Sequence, residues 1–218
     1  MKIHAPKLTI LTLTAGIALL TGCGTTSGYK QADKTGKGIA EFRDEIIKGD
    51  KAIDDSMKAL DQTAASASTD PHKAFEAYSK AVANLGSTAA KVGKRSKDMQ
   101  EQGTAYFVQW EKQLAEVKNP EFKKLAFERK AKLQETFASI KTIAEPLKAQ
   151  FTPWMADLKD LQKYPSNDLT IAGVDAAKGM FAKTRTDGVE VQKSMDALVA
   201  ELNTVAAALT PGERQEAT

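Results

Sequence analysis

The sequence predicts an all-α protein, an elongated antiparallel up-down four-helix bundle with coiled-coil-like heptad packing. Three observations carry this reading. Apolar residues recur at alternating spacings of three and four from about residue 31 to residue 210. Proline-containing breaks divide that pattern into four long segments. No segment shows the every-second-residue alternation of a strand.

The first segment sets Ile39, Phe42, Ile46, Ile53, Met57, Leu60 and Ala64 on one face, with Gly49 in one slot. Ser68-Thr69-Asp70-Pro71 interrupts it: Thr69 or Asp70 can cap the next helix, and Pro71 suits a first turn, where no N–H partner is needed. In the second segment Phe75, Tyr78, Val82, Leu85, Ala89, Val92, Ser96, Met99, Gly103, Tyr106, Trp110 and Leu114 keep a seven-residue repeat. A repeat held that long implies left-handed, coiled-coil-like packing. It places Trp110 in the core and leaves Gln109, Glu111 and Lys112 to solvent.

Asn119-Pro120 is again a capping residue followed by proline. The third segment offers Phe122, Ala126, Leu133, Phe137, Ile140, Ile143, Leu147, Phe151, Trp154, Leu158 and Leu161. Pro146 and Pro153 lie seven apart within it and predict curvature on one side, not a break. Residues 164–169 form the third turn. The last segment runs Val174, Ala177, Phe181, Thr184, Gly188, Val191, Met195, Leu198, Leu202, Val205 and Leu209 before Pro211-Gly212 stops it. Short turns make successive helices antiparallel. The first helix, starting near residue 34, is expected to be shorter, leaving a three-helix tip around Trp110, Phe122 and Leu202 to Leu209.

The N-terminal region has a different plan. Lys2 and Lys7 precede an uncharged apolar run over residues 8–20. Thirteen residues are too few for a membrane span, which takes about 20 as a helix. A basic start, a short apolar run and small residues make a secretory signal. Leu20-Thr21-Gly22-Cys23 resembles the lipobox of bacterial lipoproteins, which implies cleavage after Gly22 and acylation of the Cys23 thiol. An ordinary exported thiol, or one half of an intermolecular disulfide, leaves the coincidence of apolar run, Leu20 and Gly22 unexplained. The expected organisation is therefore a signal peptide over 1–22, a lipidated flexible tether over 23–33, the bundle over 34–210 and a frayed tail over 211–218. Gly24, not aspartate, follows the cysteine, and the class resemblance then implies the outer membrane, facing the periplasm.

Composition excludes several function classes. The chain carries 31 basic and 28 acidic residues; losing Lys2 and Lys7 leaves 29 against 28. No basic excess points to nucleic acid. Removal of His4 leaves His72 as the sole histidine beside the acylated Cys23, so Cys/His zinc sites, Cys–His catalysis and di-iron Glu-x-x-His pairs are ruled out and no cofactor is expected. His72 reads as an exposed first-turn residue.

From residues 107–114 through 144–169 the chain resembles a family of bacterial lipoproteins known only as a domain of unknown function. The features that carry the resemblance are Trp110 and Glu111, then Pro153, Asp160, Tyr164 and Leu169. A basic stretch expected early in that family is replaced here by Gly38-Ile39-Ala40-Glu41. The resemblance implies a helical envelope lipoprotein and brings no catalytic residues.

Two functions follow. One is a non-catalytic structural or adaptor lipoprotein, bound to a membrane through its acyl chains and to an envelope protein or a second copy of itself. The other is a ligand-binding bundle, with a pocket between helices two, three and four at the small slots Ser96, Gly103, Thr184 and Gly188. The latter requires that Phe137 and Ile140 do not fill the space. Acidic pairs such as Asp44-Glu45 and Asp54-Asp55 diverge by about 100° on a helix and read as solvated, so no enzyme is expected. Mass spectrometry of the membrane fraction should find Cys23 as an acylated N-terminus, and Cys23→Ser should leave an unprocessed or freely released protein. An unmodified Cys23 thiol in the membrane fraction would refute the lipobox reading.

Overall fold

The computed structural model describes residues 24–66 and 71–209. The signal segment, the residues Leu20 to Cys23 and the tail beyond 209 lie outside them. The described chain folds as four helices, α1 (Gly24–Ala65), α2 (Pro71–Glu116), α3 (Pro120–Asn167) and α4 (Ile171–Leu209), and contains no strand. At 1.5 Å per residue the helices are about 60 to 70 Å long. α1 packs on α2 and α4, and α3 packs on α4 and more sparsely on α2.

Local chemistry accounts for the turns. Asn119 Oδ1 accepts from the Glu121 and Phe122 amides at 2.9 and 3.1 Å, with Pro120 at the first helical position of α3. Thr170 begins α4 in the same manner, its hydroxyl accepting from the Gly173 amide at 3.1 Å. Pro71 opens α2, and His72 is exposed in its first turn. α3 runs unbroken through Pro146 and Pro153.

The core follows the predicted stripes most closely in α4, where all eleven residues from Val174 to Leu209 are buried. α1 buries more than its predicted face: Ala52, Ser56, Ala59 and Thr63 are also covered, because this helix is sandwiched between α2 and α4. The hydroxyls of Ser56 and Thr63 are satisfied by the carbonyls four residues back, at 2.8 and 2.9 Å.

Trp154 ties three helices together. Its indole is buried and its Nε1–H donates to the Thr184 carbonyl of α4 at 2.7 Å. The ring occupies a notch at Gly188, where a Cβ would lie 3.0 Å from Trp154 Cζ2 and 2.5 Å from Met57 Sδ of α1.

Three expectations need correction. Residues 24–33 are the opening turns of α1, not a tether. Gly28 lies on α2, where a Cβ would be 2.8 Å from Gln113 Oε1, and the Thr35 hydroxyl is buried against α2, donating to the Gln31 carbonyl at 2.9 Å. Packing on α2 extends the helix through a segment whose Gly, Thr and Ser content disfavours it. α1 therefore has 42 residues, α4 is the shortest at 39, and the tip is not three-helical.

Second, Phe107 takes the buried place expected for Tyr106 and Trp110, both of which are half-buried. On a helix of 3.6 residues per turn Phe107 lies about 20° from the line of Tyr78, whereas Trp110 lies about 40° and Tyr106 about 80° away. A strict seven-residue count conceals that drift. Third, Phe122 is 67 % exposed, because it extends past the last layer of the bundle.

Glu111, expected on the solvent side, is exposed there and holds the carboxylate end of an ion pair with Lys130, at 3.2 Å. Lys130 is a lysine of α3 whose side chain is only 8 % exposed. Unpaired buried cations are costly.

Two stability predictions follow. Gly103→Ala should destabilise, since the new Cβ would run into the Phe137 ring, whereas Gly179→Ala, with open space around it, should gain up to about 1 kcal/mol of helix propensity. Thermal melts in which both variants shift in the same direction would contradict this. Glu111→Ala should cost about 1–3 kcal/mol by stranding Lys130, and Glu111→Ala combined with Lys130→Met should recover most of the loss. Denaturant titration of the four proteins of this double-mutant cycle measures the coupling.

Candidate functional site

α2 and α3 meet firmly near each end of a central stretch. At one end the buried Tyr78 hydroxyl donates to the Leu158 carbonyl at 2.6 Å. Burial pushes the Tyr78 phenol far above its ordinary range, so it remains a donor. Toward the tip, the Phe137 ring covers Gly103 and meets Phe107 edge-on, with centroids 5.8 Å apart.

Between these contacts the two helices enclose a groove of about 650 Å³. Small side chains create it. α2 presents Ala89 and Ser96 where its repeat would otherwise carry larger groups, with Gly93 beside them, and α3 opposes them with Ala138 and Ala144. Ala89, Val92 and Ser96 are accordingly only half-buried, although they hold core positions of the heptad. The floor is apolar, built from Phe42, Ile46 and Ile53 of α1 and from Met195 and Leu198 of α4. From Leu85 to Thr104 the α2 wall is about 28 Å long, and from Phe137 to Thr152 the α3 wall is about 22 Å.

The rim is polar. Lys141, Glu145 and Lys148 follow one another along the exposed edge of α3, and Gln100 and Thr104 stand across from them on α2. The hydroxyls of Thr104 and Thr152 donate to carbonyls of their own helix, at 2.9 and 2.8 Å. The groove therefore offers an apolar floor, two ammonium groups and one carboxylate at its edge; its hydroxyls are not paired with a base. Among the described residues no group of three or more His, Cys, Asp or Glu could hold a metal ion.

The residues singled out for a pocket are only partly brought together. Ser96 lines the groove, but Gly103 is occupied by Phe137 and Gly188 by Met57 and Trp154. Thr184 is fully buried in the α3–α4 contact, its hydroxyl oxygen without a hydrogen-bond partner. The cavity thus lies between α2 and α3, not at the glycine slots of α4. The groups carrying the family resemblance are also dispersed. Trp110 and Glu111 sit near the α2–α3 turn, while Pro153, Asp160, Tyr164 and Leu169 lie towards the opposite end, about 35 Å or more along α3. Spacing alone does not mark Lys141 and Lys148 as rim groups; their place follows from Ala138 and Ala144 lining the open groove beside them.

No described helix is long and apolar enough to cross a membrane. The model of the family described as "Protein of unknown function (DUF2959)" matches residues 25–209, from the start of α1 to the end of α4, and the chain belongs to that family. No curated protein and no solved structure matches the chain.

Proposed function

We propose that this DUF2959 member is a non-catalytic lipoprotein of the cell envelope, anchored through Cys23, whose bundle carries an elongated apolar guest in the α2–α3 groove. The observation that carries the reading is the groove itself. Its 650 Å³ lies within the range of small-molecule sites, about 300–1,000 Å³, and its floor is hydrophobic while its edge is charged. A lipid acyl chain fits that form. One leaflet of a bilayer holds chains of about 15 Å, half the hydrocarbon thickness, and the shorter wall is about 22 Å. Burying methylenes contributes about 0.8 kcal/mol each, enough for a long chain to offset the cost of association. Lys141 and Lys148 favour an anionic head group at the edge. The structural or adaptor role accounts for a long anchored rod but gives the groove no task.

The test uses an environment-sensitive fluorescent fatty acid. It should bind the purified protein with enhanced emission and be displaced by long-chain fatty acids. Ala144→Trp, which fills the groove, should abolish binding. Lys141→Glu with Lys148→Glu should weaken fatty acids more than the corresponding alcohols. Unaltered binding to Ala144→Trp would show that the guest sits elsewhere, and absence of binding to the native protein would leave the adaptor role as the better reading.

A further inference from the structure

We infer that the α2–α3 tip is a membrane-contact surface, with Phe122 and Leu125 embedded in the lipid interface beside the acyl chains of Cys23. This rests on the proposed acylation of Cys23 and goes beyond it, since an anchor alone says nothing of how the bundle meets the membrane. Phe122 and Leu125 are 67 % and 61 % exposed, the highest values among the exposed large hydrophobic residues. They are three apart on the first turns of α3 and so are neighbours on its surface. The Asn119 cap and Pro120 hold that turn rigidly. Val108, also exposed, lies on the same end of α2.

The start of the chain identifies what covers them. α1 is helical from Gly24, the residue after Cys23, and Gly28 lies against Gln113 of α2. From Gly28 back to Gly24 the helix rises about 6 Å, and from Gln113 to the end of α2 about 4.5 Å. Gly24 and the turn at 117–119 are therefore level, and Cys23 is one peptide bond from Gly24. Acyl chains entering a bilayer from that point bring the turn to the head groups. Charge agrees: between residues 111 and 130 there are six basic and four acidic side chains, among them exposed Lys112, Lys118 and Lys124. A mixed aromatic, aliphatic and lysine surface suits an anionic bilayer interface.

The test uses the full processed lipoprotein in vesicles of phosphatidylethanolamine and phosphatidylglycerol. Because the native thiol is acylated, Leu125→Cys provides one site for an environment-sensitive fluorophore, and Lys159→Cys, about 51 Å along α3, provides the control. On reconstitution the probe at 125 should shift to the blue and be quenched by spin-labelled lipid at a depth of roughly 5–10 Å, while the probe at 159 should not change. A water-like spectrum at 125, in protein whose acylation and vesicle binding are intact, would overturn this inference and leave the anchor standing. A blue shift without lipid quenching, accompanied by a doubled mass in light scattering, would assign the tip to a second copy and overturn it equally. Loss of acylation and of vesicle binding altogether would refute the anchor, and this inference with it. Phe122→Ser with Leu125→Ser should keep the native melting curve, since both side chains face outward, and should shift a probe at position 118, introduced by Lys118→Cys, back toward water.

Discussion

The bundle depends on one seat, the notch in α4 into which Trp154 fits. A glycine at 188 lets the indole and Met57 approach the α4 backbone, and the indole N–H then finds a carbonyl that it could not reach across a larger side chain. The contact joins α1, α3 and α4 in one layer and fixes their axial register. A buried indole needs both its area covered and its donor paired. Few offsets of α3 along α4 satisfy both. Surface ion pairs between helices, such as Arg95–Glu41 and Arg185–Asp61, are exposed and add little to that registry.

With α3 fixed on α4, its distance from α2 is decided by the side chains between them. Tyr78 reaches across to the Leu158 carbonyl, and Phe137 fills the hollow over Gly103. Between these points alanine, glycine and serine face alanine, and neither helix can close the gap without moving off its other contacts. The groove is thus a product of rigid ends and small middles. Small residues on α1, Ala52, Ser56 and Ala59, are instead buried, because α2 and α4 both pack on that helix.

Fold class, helix order and the α4 stripe were legible in the sequence, because a buried face written at steady spacing constrains little but a helix. The α4 residues from Val174 to Leu209 need only period counting. What escaped depended on packing partners. Residues 24–33 read as a tether because their composition is poor for helices, and only the α2 surface around Gln113 overrides that. Trp110 and Phe107 exchange places through an angular drift that the heptad count hides. Phe122 is in register with the core but has no layer to enter. Lys130 could not be picked out among neighbouring lysines without seeing Glu111 reach over it. The family resemblance rested on residues at both ends of the bundle, and the groove lies between them. Of the four small slots visible in the sequence, only Ser96 lines it.

The two prolines of α3 give the groove wall a mechanical character. Pro146 and Pro153 lack the amides that would bond the carbonyls of Thr142 and Ala149, so two rungs of the backbone ladder are missing within the stretch that walls the groove. Those rungs are missing in a helix held to α2 at Phe137 and at Leu158. Such a wall is compliant in its middle and stiff at its supports, as a beam thinned at mid-span.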